Sequence, residues 1–123
     1  MQGLPKILVV EDERDLAELY QQAIGEKALV LIAFNTDEAV LLHRDNPGLD
    51  GIMMDGDLPG EHDSIELVLE WKRSFAGPFA AISGGSKQES LLSAGCNFNL
   101  RKPVSVENLM AFVSAVVAYR TQR

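Results

Sequence analysis

Lys6-Ile-Leu-Val-Val-Glu-Asp-Glu13 sets the frame for the whole chain. Its apolar run, Ile7 to Val10, has no polar interruption and stops at two acids, Glu11 and Asp12. A strand with one face in water would alternate apolar with polar; an unbroken run fits a strand covered on both faces, as in a parallel sheet. Working outward, Leu29 to Phe34, Ile52 to Met54 and Phe79 to Ile82 repeat the pattern, and the mixed stretch Asn97 to Leu100 is placed as a fifth strand.

The segments between these runs have helical spacing. Leu16, Leu19, Tyr20, Ala23 and Ile24 recur at i, i+3, i+4, i+7 and i+8 and are expected to face a core. The last segment places Val106, Leu109, Val113, Val116 and Val117 on one face, with Ser105 as N-cap after Pro103. Thr36 and Asp63 are expected to start helices over 37–43 and 64–75, and a fourth helix is expected over 86–94. Five alternations of strand and helix predict right-handed βαβ units and an α/β fold: a doubly wound parallel sheet with helices on both faces.

At 123 residues the chain has room for one core, so 1–123 is read as a single domain. With 18 acids against 11 bases the formal charge is −7, and no basic stripe is present, which disfavours direct nucleic-acid binding. The longest apolar run, 28–34, is too short to span a bilayer, and the opening MQGLPK lacks a secretory apolar core, so a cytoplasmic protein without membrane partners is expected. The lone Cys96 has no Cys or His companions at ligand spacing and is read as a small buried hydrophobe.

In an open parallel sheet, ligands bind beyond the carboxyl ends of the strands. Those ends here carry Glu11 and Asp12, then Asp55, then Ser83, then Lys102 followed by Pro103. Three clustered carboxylates repel one another unless a cation holds them, and an all-oxygen ligand set suits a hard ion such as Mg²⁺. A carboxylate beside such a metal can attack phosphorus, with Lys102 and Ser83 holding phosphoryl oxygens by charge and hydrogen bond. Taken singly, each has a plainer explanation: Asp12 a helix cap, Asp55 the start of a turn before Pro59, Ser83 an ordinary polar residue, Lys102 a solvated charge. Their joint placement after four separate strands favours the chemical interpretation.

KILVVEDE, LDGIMMDGDLPG, FAAISGG and LRKPVSVENL, in this order and spacing, resemble the successive signatures of response-regulator receiver domains, over essentially the whole chain. The resemblance implies a flavodoxin-like fold with strand order 2-1-3-4-5. It implies Asp55 as phosphoacceptor, and Glu11, Asp12, Asp55 and the Asp57 backbone carbonyl around Mg²⁺, with Asp12 the more direct ligand of the acid pair. Ser83 takes the place of the switch hydroxyl, with Gly84 beside it leaving access. Lys102 matches the phosphate-pairing lysine, and the Lys102–Pro103 bond is expected to be cis. A sensor histidine kinase or phosphotransfer protein is the implied donor, and a downstream protein or a missing output domain the implied receiver of the signal. Beyond self-catalysed phosphorylation and dephosphorylation, no enzyme activity is implied.

The sequence departs from that family in three places. Asn99 stands where an aromatic is usual, with Phe98 next to it. The interval from Ser83 to Lys102 is roughly three residues short, close to one helical turn, so the fourth helix is expected to be shortened. Asp57 adds an acid at a position that in the family influences phosphoryl lifetime. Without an aromatic at 99, movement of Ser83 is expected to be taken up by the fourth helix or by Phe98. Two other functions fit parts of the pattern. Asp55-Gly-Asp57 also resembles the start of haloacid-dehalogenase-type phosphatases, but Pro59 and the short chain argue against that. A pseudo-receiver that only binds proteins would have no need of a repulsive acid cluster.

Overall fold

The computed structural model describes residues 3–122; Met1, Gln2 and Arg123, which the domain reading included, lie outside the described residues. Strand and helix alternate five times: β1 (Lys6–Val10), α1 (Arg14–Ile24), β2 (Leu29–Ala33), α2 (Thr36–Asp45), β3 (Gly51–Met54), α3 (Ser64–Trp71), β4 (Phe79–Ala81), α4 (Lys87–Ala94), β5 (Phe98–Asn99) and α5 (Val106–Gln122). All pairings are parallel, and the sheet order is β2-β1-β3-β4-β5. The doubly wound sheet expected from the alternation is present, in the flavodoxin-like order that the resemblance implies, and α4 is a short helix of 8 residues.

Because side chains alternate across a strand, the unbroken apolar runs feed two cores. Leu8, Val10, Ile52, Met54, Phe79 and Ala81 pack with residues of α2, α3 and α4. Ile7, Val9, Met53, Ala80 and Ile82 pack with α1 and α5 on the other face. The fifth strand is two residues long, yet backbone bonds from Asn97 to Phe79 (2.8 Å) and from Leu100 to Ala81 (2.9 Å) extend its pairing over the span expected.

Several helix details differ from expectation. In α1 the buried face is Ala17, Tyr20 and Ile24, while Leu19 is 56% exposed. In α5 it is Leu109, Phe112, Val113 and Val116, with Val106 and Val117 exposed. In both, an apolar residue at one edge of the stripe falls outside the arc that the sheet covers. The Ser105 cap is formed, its Oγ accepting from the Asn108 amide at 3.0 Å. Asp63 caps α3 as expected, but that helix ends at Trp71, short of Phe75. Asn35, not Thr36, caps α2 by accepting from the Glu38 amide at 2.8 Å.

Thr36 is instead the fully buried first residue of α2 and acts as a tie. Its amide donates to the Pro59 carbonyl at 2.9 Å, and its hydroxyl accepts from the His62 amide at 3.2 Å. The loop after β3 is thereby fastened to α2, with Gly60 at φ 122°, a conformation that glycine adopts without strain, lying against Thr36.

Candidate functional site: an acidic cluster closed by a lysine

Strand register brings the site together. Val10 pairs with Met54, and Met54 with Ala81, so Glu11 and Asp55 are each one step past a paired position on neighbouring strands, and Ser83 is two steps past on the third. The backbone continues the ladder there, Asp55 N to Val10 O at 3.1 Å and Ile82 N to Met54 O at 3.0 Å. From β1 the chain runs by way of α1 to β2 on one side, while β3 lies on the other; such a reversal opens a crevice at the strand ends.

Glu11, Asp12 and Asp55 offer carboxylate oxygens that all lie within 4.8 Å of one another. Glu11 and Asp55 are buried, and Asp12 is exposed at the rim. The Lys102 ammonium lies 2.8 Å from both Glu11 Oε1 and Asp55 Oδ2. The other oxygen of Asp55 accepts from the Asp57 amide at 3.2 Å, and the Glu13 amide donates to Glu11 Oε2 at 3.2 Å.

Burial pushes the Glu11 carboxyl up to about 7; its close contact with the Lys102 ammonium opposes this and the Asp55 charge adds to it. Burial alone would lower the Lys102 ammonium, but its hydrogen bond to Asp55 and its close contact with Glu11 outweigh that and raise it. One cation thus serves two buried carboxylates, with a third acid close by. Glu11 Oε1, although 2.8 Å from the ammonium, accepts no hydrogen bond of good geometry. A buried, under-satisfied oxygen in a set of hard oxygen donors fits a divalent cation such as Mg²⁺.

Ser83 is fully buried; its Oγ accepts from the Gly85 amide at 3.2 Å, and its carbonyl accepts from the Lys102 amide at 3.5 Å. A Cβ on Gly84 would come to 3.3 Å from Lys102 Cβ, so glycine keeps room for the lysine stem. The Lys102–Pro103 bond is cis. Asp57 is exposed at the rim. Asn99, at the end of β5, is exposed, but its side chain is bonded inward to Gln88. Phe98 lies on the opposite face of the sheet, edge-on to Phe112 at 5.4 Å. It cannot stand in for an aromatic at 99, because one residue along a strand reverses the side-chain direction.

Sequence reasoning missed two residues. Thr36 was read as a helix start rather than a tie to the loop after Asp55. Gln88, fully buried, went unremarked. Its signal was its place three residues before Leu91, on the inward face of α4.

A cleft of about 590 Å³ lies elsewhere, between α2 and α3, lined by His43, Glu66, Leu67, Glu70 and Trp71 among others. His43 stacks flat on Trp71 there, with ring centroids 4.1 Å apart, and burial lowers its pKa. The acid cluster instead sits at the carboxyl ends of β1 and β3.

No family model matches the chain. Solved structures do. The receiver domain of a response regulator from Clostridium thermocellum superposes with TM-score 0.83 at 20% identity, over 97% of this chain and 98% of that one. The Francisella response regulator 1452 receiver domain gives TM-score 0.79 at 25% identity, over 97% and 99%. The chain has the receiver-domain fold of response regulators. A CheY-like receiver domain from Methanospirillum hungatei agrees, with TM-score 0.82 and 22% identity over 98% of this chain and the whole of that one. Among curated proteins, response regulator MprA of Mycobacterium sp. strain KMS is 28% identical over 124 residues, which cover 91% of this chain. The chain spans about half the length of that relative. Among the described residues no helix is long and apolar enough to cross a membrane.

Proposed function

We propose that this chain, residues 1–123, works as a phosphoacceptor receiver domain in two-component signalling, taking a phosphoryl group from a sensor histidine kinase or phosphotransfer protein onto Asp55. The observation that carries this is the Lys102 ammonium held 2.8 Å from Asp55 Oδ2 inside an acidic cluster. Glu11, Asp12, Asp55 and the Asp57 backbone carbonyl would hold Mg²⁺, which supplies neutralising charge for the incoming phosphoryl oxygens.

An Asp55 carboxylate oxygen attacks phosphorus as the bond from phosphorus to the donor's leaving atom breaks, and that atom keeps the electron pair. Lys102 then exchanges its bond to the carboxylate for one to a phosphoryl oxygen, and Ser83 Oγ turns to donate to another. Gly84 leaves the approach beside Lys102 open. The group gained carries about −1.5 to −2 charges beside Ser83 and Lys102, enough to reorganise the Ser83–Gly84–Gly85 loop through charge-assisted hydrogen bonds.

The signal then passes to a downstream protein or to an output domain carried elsewhere in a longer chain. The MprA relative is about twice as long as the matched region, and this chain covers 51% of a two-component response regulator/GGDEF domain protein, which makes the second route concrete. Turnover of a separate substrate forms no part of this role, and a cytoplasmic setting follows from a kinase donor. Incubation with Mg²⁺ and acetyl phosphate, followed by intact-mass measurement, should show one added acid-labile phosphoryl group in wild type and none in Asp55→Asn. Full labelling of Asp55→Asn would refute the assignment.

A further inference from the structure

Gln88 is fully buried in the first turn of α4, and both ends of its amide are used. Oε1 accepts from the Ser83 backbone amide at 2.8 Å. Nε2 donates to the Ala81 carbonyl at 2.8 Å and to Asn99 Oδ1 at 2.7 Å. Ala81 and Asn99 are register partners at the ends of β4 and β5. A single side chain therefore ties the Ser83 loop, the last rung of β4–β5 and the helix that carries it.

The three bonds are interdependent. A buried amide that loses one partner keeps the full cost of desolvation at that atom, so Gln88 follows its partners or the helix turn that bears it shifts. Ser83 cannot move its backbone toward Asp55 without withdrawing the donor from Gln88 Oε1. On the far side, Asn99 offers Gln88 an acceptor where an apolar ring could offer none. Below, Gly56 lies against this turn: a Cβ there would come within 2.6 Å of Lys87 Cβ and 3.4 Å of Ser83 Oγ. The residue after Asp55 and the start of α4 thus share one packed contact.

We propose that Gln88 is a positioning residue that couples Ser83 to Asn99 and to the first turn of α4, so that the phosphorylation signal leaves the site through a polar relay. The relay rests on the phosphoacceptor reading and adds to it the route of the output. When Ser83 is drawn to the phosphoryl group, Gln88 gives up its bond to the Ser83 amide, its side chain re-partners, and the Lys87–Ala94 helix and the Asn99 end of β5 move together.

The test is amide hydrogen exchange with and without saturating beryllofluoride and Mg²⁺, in wild type, Gln88→Met and Asn99→Ala. In wild type, protection should change at 83–85, at 87–94 and at 97–100. In Gln88→Met, which keeps the side chain's length and removes its polar atoms, the change should remain at 83–85 and be lost over 87–94 and 97–100. Asn99→Ala alters an exposed residue and serves if Gln88→Met fails to fold; it should lose the change over 97–100. A wild-type pattern of change in Gln88→Met, or in Asn99→Ala if that variant decides, overturns the relay and leaves the phosphoacceptor role standing. Absence of any wild-type response to beryllofluoride overturns both.

Discussion

Lys102 reaches across from the loop after β5 to lie 2.8 Å from Asp55 Oδ2, and the same ammonium is 2.8 Å from Glu11 Oε1. Lys102→Met keeps the stem and removes the charge. At neutral pH it leaves Glu11 and Asp55 facing each other without a cation, a change of the kind that costs on the order of 3–5 kcal/mol when a buried pair is broken. Urea unfolding should show a loss of that order near pH 7.5, and a smaller one near pH 5, where Glu11 takes up a proton. Labelling by acetyl phosphate should fall by tenfold or more. Equal destabilisation at both pH values would show that the loss is one of packing.

The same carboxyl gives the protein a pH signature. The folded protein holds the Glu11 proton up to about pH 7, against an ordinary value of 4.5. Between those values the folded state binds a proton that the unfolded chain has released, so Glu11's contribution to stability is full below 4.5 and is lost as pH rises through 7. Metal-free unfolding midpoints should decline across that window, Glu11→Gln should flatten the decline, and millimolar Mg²⁺ at pH 7.5 should restore stability. A flat wild-type profile would contradict the burial of an ionising Glu11.

Asp12 lies at the rim of the cluster, and calorimetry should show Mg²⁺ affinity at least tenfold weaker in Asp12→Ala, since a shallow oxygen site loses a charged ligand. Trp71, 4% exposed and stacked on His43 between α2 and α3, lies outside the acid cluster, so calorimetry is the more direct readout. An unchanged Mg²⁺ affinity would remove the acid pair from the ligand set.

Thr36→Val keeps the shape of a buried side chain and deletes its hydroxyl, leaving the His62 amide without its 3.2 Å acceptor. A cost of about 1–3 kcal/mol is expected. Proteolysis or exchange should localise the loosening to 59–63, with Asp55 still labelled. An effect spread through the sheet would mean that the hydroxyl serves the core.

The strand runs and their terminal polar residues were legible because parallel register is a local rule: where Val10, Met54 and Ala81 align, the next residues converge. Helix faces were less legible. Apolar spacing includes Leu19 and Val106, yet only the packed sheet decides which edge of each stripe stays in water. Spacing from Leu91 puts Gln88 on the inward face of α4, but its role was not legible, because its three partners come from β4, the following loop and β5. Asn99 signalled a missing aromatic, but not that its amide would be occupied by another.

The most direct test of the central claim is to phosphorylate the protein with acetyl phosphate and Mg²⁺, reduce the acyl phosphate with borohydride, and map the product by peptide mass spectrometry. Reduction turns a phosphorylated aspartate into homoserine. The account predicts homoserine at position 55 alone, in the peptide that also carries Asp57. Homoserine at Asp12, Asp57 or another carboxylate, or none under conditions where intact mass shows labelling, would contradict it.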